Sequence, residues 1–277
     1  MSKDQFKDKI IVITGSTQGI GAETARLFAK RGAKGITICG RQVNKGKKIK
    51  KEIENLGSQC IFVKSDLSKV EDCKKVISAT DKKFGTVNTL INVAATTERG
   101  TILSTTLKNY ENNFNINTRA PFLLIQQAAK IMIRDKNKGT IASVLSMQMY
   151  SGMPFVLAYS GSKAALAVMT KNIANALSGY QIRVNALNIG WTDTPAEHEI
   201  QIKIHGKRKD WLKKEERKVP FKRLTKTLDV AKGLAFMCSK ESGLMTGSII
   251  DFDQTVNGWH SYSAYNTRIL DDSLLGE

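Results

Sequence analysis

The sequence is poor in the residues that build metal centres. Its 277 residues include four cysteines and three histidines. No two cysteines form a Cys-x-x-Cys pair, and the histidines do not lie at metal-ligand spacing with them. We therefore expect no bound metal. Cys39 and Cys60 fall within strand-like runs, where a buried and inert thiol is the expected state.

Long apolar segments are also missing. No apolar run approaches the roughly 20 residues that a membrane-spanning helix requires. The N-terminal residues 1–6 lack the apolar core of a secretory signal and lead almost directly into the first strand. We therefore expect a cytoplasmic protein without a membrane partner.

Acidic residues are scarce, with 25 Asp and Glu against 43 Lys and Arg, and the net charge is +18. Such an excess invites a nucleic-acid hypothesis. The charges are spread along the chain, however, and the densest run, residues 45–51, alternates with the apolar helix face Ile49, Ile53 and Leu56. This pattern indicates a solvated helix surface, so we expect no nucleic-acid partner. An acidic partner protein or anionic metabolites remain compatible with the charge.

What the sequence does contain is a regular alternation of strand-like and helix-like segments. Strands are predicted at residues 10–13, 36–39, 60–63, 87–91, 140–145, 182–187 and 248–252. The clearest intervening helices are predicted at residues 69–84, 116–134, 164–177 and 229–239. Strands separated by helix-length segments form parallel sheets with right-handed crossovers. We therefore predict an α/β fold, a Rossmann-like doubly wound parallel sheet of about seven strands with helices on both faces, in a single domain over residues 1–277.

The first strand runs into a glycine-rich turn at residues 14–21, which a helical pattern follows. Gly15 permits a tight turn, Gly19 lets the backbone approach a pyrophosphate, and Gly21 lets the helix pack closely on the sheet. The N–H groups and the positive dipole end of the helix would favour the anion. Taken alone, the turn is equally compatible with a purely structural role. With the alternating strands and helices, it predicts dinucleotide binding.

Polar and small residues follow the next three strands. Gly40 stands where NAD-selective folds usually carry a carboxylate, and Arg41 could form a forked contact with a 2′-phosphate, which favours NADP over NAD. A plain surface arginine is the alternative. Asp66 could cap the next helix or accept a hydrogen bond from adenine. Residues 92–95 suit either close approach of a cofactor or simple packing.

The sharpest constellation combines Tyr159, Lys163 and Ser146. If the tyrosine and lysine begin a helix, their i and i+4 spacing puts them on one face. An ammonium about 5 Å from the phenol, at an effective dielectric constant of about 20, would supply roughly 3 kcal/mol. That energy corresponds to a phenol pKa lowered by about two units. Ser146, just after the fifth strand, could hold a substrate oxygen.

With these motifs, the chain resembles the short-chain dehydrogenase/reductase family over nearly its whole length. The family motif T-G-x-x-x-G-[IV]-G corresponds to residues 14–21, Y-x-x-x-K to residues 159–163, and the active-site serine to Ser146. The resemblance implies that Asn117 holds a water linking Lys163 to solvent, and that Lys163 binds the nicotinamide ribose. It implies cofactor contacts at Gly15, Thr17, Gln18, Gly19, Ile20, Gly21, Arg41, Asp66, Leu67, Asn92, Ala94, Lys163, Gly190, Thr192 and Thr194.

The chain departs from the family pattern at three places. Residues 92–95 read Asn-Val-Ala-Ala where the family has Asn-Asn-Ala-Gly. Ile189 replaces the proline that usually precedes Gly190, which we expect to alter the turn into the nicotinamide loop. Residues 253–255 read Asp-Gln-Thr instead of Asp-Gly-Gly. None of these changes removes a catalytic group.

The resulting hypothesis is an NADP(H)-dependent oxidoreductase that interconverts a secondary alcohol and a carbonyl on a small polar substrate, such as a sugar or polyol. Tyr159 would be the acid/base. Residues 191–220 would form a lid over the substrate, and Trp211 within this lid could either bind substrate or only pack on the protein. Substrate contacts are predicted at Ser146, Gln148, Tyr159 and Trp191. A 3-oxoacyl thioester reductase and a non-catalytic NADP(H)-binding redox sensor are the alternatives. The resemblance also implies a homo-oligomer, commonly a tetramer.

Overall fold

The computed structural model describes residues 4–255, and every structural statement below concerns that part of the chain. Its strands are β1 Ile10–Ile13, β2 Gly35–Gly40, β3 Gln59–Lys64, β4 Thr89–Asn92, β5 Thr140–Ser146, β6 Arg183–Ile189, β7 Thr192–Asp193, β8 Thr225–Lys226 and β9 Ile249–Phe252. Its α-helices are α1 Gly19–Lys30, α2 Val43–Asn55, α3 Val70–Phe84, α4 Leu107–Phe114, α5 Ala120–Arg134, α6 Leu157–Ser178, α7 Pro195–Lys203, α8 Trp211–Glu216 and α9 Thr227–Cys238. A π-helical turn, Asn115–Arg119, joins α4 to α5.

Seven of the described strands form one parallel sheet in the order β3-β2-β1-β4-β5-β6-β9, and β7 pairs with β8 separately. The chain builds outward from β1 to β3, then returns to the other side of β1 and continues from β4. At this reversal Ile13 of β1 is paired with Ile38 of β2 and Ile91 of β4. Ligands of open parallel sheets bind beyond the carboxyl ends of the strands at such a switch point. The predicted Rossmann-like α/β architecture is confirmed.

The sheet is buried on both faces because its strands carry apolar residues at successive positions. Ile11 and Ile13 point to the core formed with α1, α2 and α9, whereas Val12 points to the core formed with α3, α5 and α6. Side chains of a strand alternate between the two faces, so a continuous apolar run covers both. This double burial fixes the sheet and therefore the position of the loops at its carboxyl edge.

The lysine-rich segment forms α2, as predicted, with Ile49 and Ile53 buried against the sheet. Leu56 lies after the helix and remains 37% exposed, so the apolar face is shorter than predicted. The predicted strand cysteines Cys39 and Cys60 are buried. Burial raises the pKa of Cys39 to about 11 and that of Cys60 to about 12, so both thiols stay protonated and inert at neutral pH.

Two helix predictions were wrong in their bounds. The helix predicted from Ala164 begins at Leu157, so it includes Tyr159 in its first turn. The helix predicted from Ile116 begins as α5 at Ala120, after the π-helical turn, and α4 before that turn was not predicted. Pro121 explains the irregularity, because a proline has no N–H to continue an α-helical ladder.

Some expectations extend past the described residues. Residues 256–277, which include the polar tail that begins near Tyr262, lie outside the described part of the chain. The single domain over residues 1–277 therefore stays a prediction. Between residues 4 and 255, none of the helices combines the length and the apolar character needed to cross a membrane.

Candidate active site

A glycine-rich cradle lies at the carboxyl end of β1. Gly15 and Gly19 have φ angles of +61° and +56°, in the left-handed region that favours glycine. A Cβ on Gly15 would lie 2.8 Å from the Cα of Ala94, and a Cβ on Gly21 would lie 2.5 Å from the Gly15 carbonyl oxygen. Gly21 therefore permits the close packing of α1 on the sheet, as predicted, and Gly15 in addition lets the end of β1 lie close to the residues after β4.

Hydrogen bonds fix the cradle between its neighbouring strands. The Thr14 hydroxyl accepts from the N–H groups of Val93 and Ala94 at 2.9 and 3.0 Å, which ties the end of β1 to the end of β4. The Ser16 hydroxyl accepts from the Cys39 N–H at 2.9 Å, which ties it to β2. The loop geometry is therefore set by the protein itself.

The space in front of the cradle suits an anion. α1 begins at Gly19, and no side chain caps the first turn of the helix. A Cβ on Gly19 would meet nothing nearer than Thr194, at 3.8 Å, so the backbone there faces open volume. Free N–H groups at the positive end of a helix favour a phosphate at this position. The residues present thus fit the pyrophosphate of a dinucleotide.

The end of β2 carries Gly40 and no acidic group. A Cβ on Gly40 would lie 2.8 Å from the Thr17 methyl carbon, so any side chain at this position requires the Thr17 side chain to shift. Arg41 follows and lines the same cavity. The Gln18 side chain accepts a hydrogen bond from Lys45 at 2.6 Å, which brings a second cation to this edge. This edge of the cavity is therefore rich in positive charge.

Asp66 does not cap a helix. α3 begins at Val70 with Lys69 in the cap position, so that alternative from the sequence was wrong. The Asp66 carboxylate instead accepts from the N–H and hydroxyl of Ser68 at 3.1 and 2.8 Å. Burial alone would raise the pKa of Asp66, but these hydrogen bonds and the charges of Arg41 and Lys69 lower it. Asp66 is therefore an anionic acceptor in the cavity wall.

One large cavity brings together nearly all the residues predicted for the site. Its volume is about 990 Å³. The predicted residues that line it are Gly15, Thr17, Gln18, Gly19, Ile20, Gly21, Arg41, Asp66, Leu67, Ala94, Ser146, Gln148, Tyr159, Lys163, Gly190, Trp191, Thr192 and Thr194. Asn92 and Asn117 do not line it. Asn92 is buried in β4, where its Nδ2 donates to the Ser143 hydroxyl at 3.4 Å.

Ser146, Tyr159 and Lys163 meet on one side of this cavity. Ser146 ends β5, while the tyrosine and lysine lie one turn apart near the start of α6. Lys163 is only 2% exposed, and its Nζ donates to the Val144 carbonyl at 2.7 Å. The same Nζ lies 6.0 Å from the centre of the Tyr159 ring. The predicted common helix face is confirmed.

The electrostatic prediction for this pair was wrong. Burial raises the pKa of Tyr159, the Ser146 hydroxyl and Arg99 oppose that rise, and Glu197 adds to it. Burial also lowers the pKa of Lys163, from 10.5 to about 8. The expected two-unit fall in the phenol pKa considered only the ammonium, whereas removal from water disfavours the charged form of both groups. Tyr159 is therefore a protonated phenol at neutral pH in this structure.

Asn117 lies in the π-helical turn behind these residues. Its Nδ2 donates to the Thr96 carbonyl at 3.0 Å and to the Ser162 hydroxyl at 2.9 Å, and its Oδ1 accepts from the Thr96 N–H at 2.9 Å. The side chain thus ties the loop after β4 to α6. Four residues on, Pro121 has no N–H with which to bond the Asn117 carbonyl in the α-helical pattern. Short π-helical segments are frequent at functional sites.

The segment 190–226 covers the other side of the cavity. Gly190 has no room for a side chain, because a Cβ would lie 2.0 Å from the Asp253 carboxylate. Ile189, at the position of the family's proline, continues β6 and pairs with Phe252 of β9. Thr194 caps α7 by accepting from the Glu197 N–H at 3.1 Å.

The aromatic residues of this segment have different roles. Trp211 is 1% exposed, stacks on Trp191 with ring centres 5.8 Å apart, and donates to His198 Nδ1 at 3.2 Å. It therefore packs, which was one of the two alternatives. Trp191 lines the cavity, and its Nε1 donates to Glu197 Oε1 at 2.8 Å. His198 Nε2 bonds Asp193 Oδ1 at 2.8 Å, so its imidazole is held inside the segment.

Two charged residues in the loop between β4 and α4, and one polar residue of α4, were not predicted as part of the site. Glu98, Arg99 and Asn112 line the cavity, and the guanidinium of Arg99 lies 5.2 Å from the centre of the Phe155 ring. A charged pair just beyond the carboxyl end of a parallel strand was the available signal, because such positions face the ligand crevice.

Comparisons with known proteins are consistent across the chain. A family sequence model described as enoyl-(acyl carrier protein) reductase matches residues 15–257. An uncharacterised oxidoreductase of Thermotoga maritima is 34% identical over 90% of this chain and 97% of its own. A galactitol 2-dehydrogenase of Agrobacterium fabrum is 30% identical over 90% and 97%. The crystal structure of an L-sorbose reductase of Gluconobacter frateurii, in complex with NADPH and L-sorbose, superposes with a TM-score of 0.87 and 26% identity, over 94% of this chain and 100% of its own.

Proposed function

Because the chain belongs to the short-chain dehydrogenase/reductase family and is an oxidoreductase acting on CH–OH groups, we propose that it interconverts a secondary alcohol and a carbonyl with NADP(H). The observation that carries the proposal is the meeting of Ser146, Tyr159 and Lys163 in the cavity in front of the glycine cradle. A proton donor, a second hydroxyl and a cation thus converge where a substrate would meet a nicotinamide. Because the chain is an enzyme, a non-catalytic redox sensor is excluded.

When bound, NADP(H) would supply or accept the hydride, and side chains of the protein would donate or accept the proton. In the reducing direction Tyr159, protonated at neutral pH, donates its phenolic proton to the oxygen of the carbonyl as that oxygen gains negative charge. Ser146 holds the same oxygen by a hydrogen bond. In the oxidising direction the phenolate would take up the carbinol proton. Such a positioned acid or base contributes about 10²- to 10⁴-fold to a rate.

Lys163 acts through charge and position. Its Nζ lies 6.0 Å from the Tyr159 ring centre and stabilises the phenolate that remains after proton donation. We propose that it also binds the nicotinamide ribose, and that the Asn117 carbonyl, which Pro121 cannot bond in the α-helical pattern, holds a water that returns a proton to this pair.

The choice of NADP(H) over NAD(H) rests on the end of β2. Gly40 supplies no carboxylate to hold the free ribose hydroxyls of NAD, and the Thr17 side chain crowds any larger residue at that position. Arg41 lines the cavity beside it and can form the forked contact that a 2′-phosphate favours. Asp66 would accept from the adenine amino group.

The substrate that this cavity fits best is small, polar and hydroxylated. Its substrate end offers Gln148, Tyr150 and Glu197 as hydrogen-bonding groups and Trp191 as an aromatic surface. Relatives that act on galactitol and on L-sorbose support a sugar or polyol.

The test of this function is Tyr159→Phe. We expect the variant to bind NADPH as tightly as the parent, measured by nicotinamide fluorescence, and to lose about 10²- to 10⁴-fold in kcat for any polyol or ketose that the parent converts. Tyr180→Phe, at an exposed tyrosine after the end of α6, is the matched control and should keep full activity. Substantial turnover by Tyr159→Phe would contradict the assignment of the acid.

A 3-oxoacyl thioester reductase is the second candidate. The matching family model carries an acyl-carrier description, and the excess of lysine and arginine could dock an acidic carrier protein. Parallel assays with an acetoacetyl thioester and with a set of ketoses, each followed by NADPH absorbance, separate the two. Faster thioester reduction would replace the polyol proposal while leaving the catalytic residues unchanged.

The homotetramer and the cytoplasmic location remain part of the proposal. Exposed apolar side chains on α4, α5 and α6 support an oligomer: Leu107, Tyr110, Phe122 and Val168 are 71%, 46%, 40% and 63% exposed. Burying such a patch against another copy would remove apolar surface from water. Sedimentation velocity of the purified protein tests the assembly.

A further inference from the structure

An arginine stands at the substrate end of the cavity without a carboxylate partner. Arg99 lies in the loop between β4 and α4 and lines the cavity together with Tyr159 and Gln148. Its guanidinium lies over the Phe155 ring at 5.2 Å. It is close enough to the catalytic phenol that its positive charge lowers the pKa of Tyr159. Arg99 therefore belongs to the reaction side of the cavity and not to the adenine side, where Arg41 lies.

The backbone around Arg99 is fixed with respect to the catalytic helix. The Gly100 N–H donates to the Phe155 carbonyl at 2.9 Å, just before α6 begins. Asn109 Nδ2 of α4 donates to the Arg99 carbonyl at 3.0 Å. Both bonds hold the peptide group between Arg99 and Gly100, so the guanidinium is presented to the cavity from a fixed backbone position.

Each of the two nearby acids accepts a hydrogen bond from another side chain and forms no ion pair with Arg99. Glu98 accepts a hydrogen bond from Asn112, and Glu197 accepts from Trp191 Nε1 at 2.8 Å and Gln201 Nε2 at 2.6 Å. No carboxylate of residues 4–255 lies within ion-pair distance of Arg99. Its Nε is buried and has no hydrogen-bond partner in the described chain. A buried, unpaired N–H of a charged group is costly, and such groups are normally satisfied by a ligand or a partner.

We propose that Arg99 binds a carboxylate of the substrate. The substrate would then be a hydroxy acid or the corresponding keto acid, and its hydroxylated form would be a polyhydroxy acid. This inference rests on the proposed function, since it names the substrate class of the same site. The planar guanidinium matches a carboxylate with two parallel hydrogen bonds. The guanidinium lies over the Phe155 ring, and its Nε–H has no hydrogen-bond partner among the described residues, so this donor is available for that contact.

A carboxylate fits this end of the cavity better than a phosphate ester. Glu98 and Glu197 line the same cavity, and their negative charges oppose a ligand with two negative charges more strongly than a ligand with one. A carboxylate carries one charge, which one guanidinium balances, whereas a phosphate ester carries nearly two at neutral pH. The site therefore favours a monoanion over a dianion.

The test measures the binding of matched acids and polyols. The wild-type protein saturated with NADPH forms a dead-end complex with an alcohol substrate, so affinity can be read by calorimetry without turnover. The ligands are tetronates, pentonates and hexonates, the alditols of the same configuration, and alditol phosphates. We expect the best acid to bind at least about 10-fold more tightly than its alditol.

Arg99→Gln should weaken binding of the acid by about 10- to 100-fold and leave the alditol nearly unchanged, because only the acid loses a charge-assisted pair. Arg99→Lys should recover part of the loss, since it keeps the charge without the fork. Arg208→Gln, at an exposed arginine outside the cavity, removes the same net charge and should leave the acid-to-alditol ratio unchanged. A parallel change in acid and alditol binding by Arg99→Gln would overturn the inference.

Three further outcomes decide the matter. Wild-type protein that binds acid and alditol equally, or that binds none of the acids, refutes the carboxylate site. Preference for the alditol phosphates over the acids refutes the choice of anion. If the proposed function itself is wrong, the protein fails to bind NADPH or converts no alcohol or ketone. If only this inference is wrong, the protein still converts neutral polyols, and that turnover does not depend on residue 99.

Discussion

The burial of Lys163 gives the sharpest quantitative prediction. Burial lowers the pKa of this lysine from 10.5 in the unfolded chain to about 8 in the folded one. Between these values the unfolded state holds more protons, so the free energy of unfolding rises with pH across that window. From pH 7 to pH 9.5, linkage gives a rise of about 2 kcal/mol from this single group. The perturbation that isolates it is Lys163→Met, which keeps most of the side-chain volume.

At neutral pH two effects of the substitution oppose each other. The variant no longer buries an ammonium, which removes a cost of about 3 kcal/mol. It loses the hydrogen bond from Nζ to the Val144 carbonyl, which lies at 2.7 Å. A hydrogen bond to a charged group contributes about 1.5–3 kcal/mol. We therefore expect Lys163→Met to be near neutral or slightly stabilising at pH 7, and about 2 kcal/mol less favourable relative to wild type at pH 9.5.

The measurement is denaturant unfolding of the cofactor-free proteins, followed by circular dichroism at equal concentrations over this pH range. Only the difference between variant and wild type is used, so other titrating groups cancel. Lys171→Met, at an exposed lysine of the same helix, is the control and should show a flat difference. If the Lys163→Met difference is also flat, the ammonium is not desolvated, and the explanation for the raised pKa of Tyr159 is refuted with it.

Three other predictions concern the cofactor and the proton. Arg41→Gln should weaken NADPH binding by about 10-fold or more and leave NADH binding nearly unchanged, as measured by fluorescence titration. An equal effect on the binding of both cofactors would contradict the 2′-phosphate contact. The raised pKa of Tyr159 keeps the phenol protonated. The rate of alcohol oxidation should therefore rise with pH through the alkaline range, whereas the rate of carbonyl reduction should stay level until the phenol loses its proton. Initial rates measured in both directions as a function of pH test this. Gly21→Ala places a Cβ 2.5 Å from the Gly15 carbonyl oxygen and should abolish NADPH binding, while Gly179→Ala, where a Cβ meets nothing within 4 Å, should bind normally.

The end of the cavity that we propose for the cofactor was predictable because its signals are local. The glycine spacing specifies backbone geometry directly, and the residues after β2 and β3 must lie at the carboxyl edge of a parallel sheet. The cavity accordingly contains Arg41, Asp66 and the cradle glycines at the predicted places. Here one turn of chain and one topological rule suffice.

The remaining features depend on three-dimensional environment. The pKa of Tyr159 could not be predicted from its spacing to Lys163, because the sequence does not tell how far each group is removed from water. Arg99 was missed because its role depends on which neighbouring acids are engaged by other side chains. Helix α4 was not predicted, although Leu107, Tyr110 and Phe114 recur at the spacing of one helix face. This apolar spacing indicates a helix.

The protonation states favour one direction of chemistry in the free chain. A buried phenol whose pKa lies above its ordinary value already carries the proton that carbonyl reduction consumes. Reduction can therefore begin without a preceding ionisation. Glu197 strengthens this state by raising the pKa of Tyr159, while Arg99 weakens it. A substrate carboxylate paired with Arg99 would offset the positive charge that weakens it, and would thereby hold the proton on Tyr159 more firmly. The contact that would select the substrate would therefore also act on the catalytic proton: it would keep the proton on Tyr159 but make the phenol a weaker acid, because a higher pKa lowers the driving force for proton transfer.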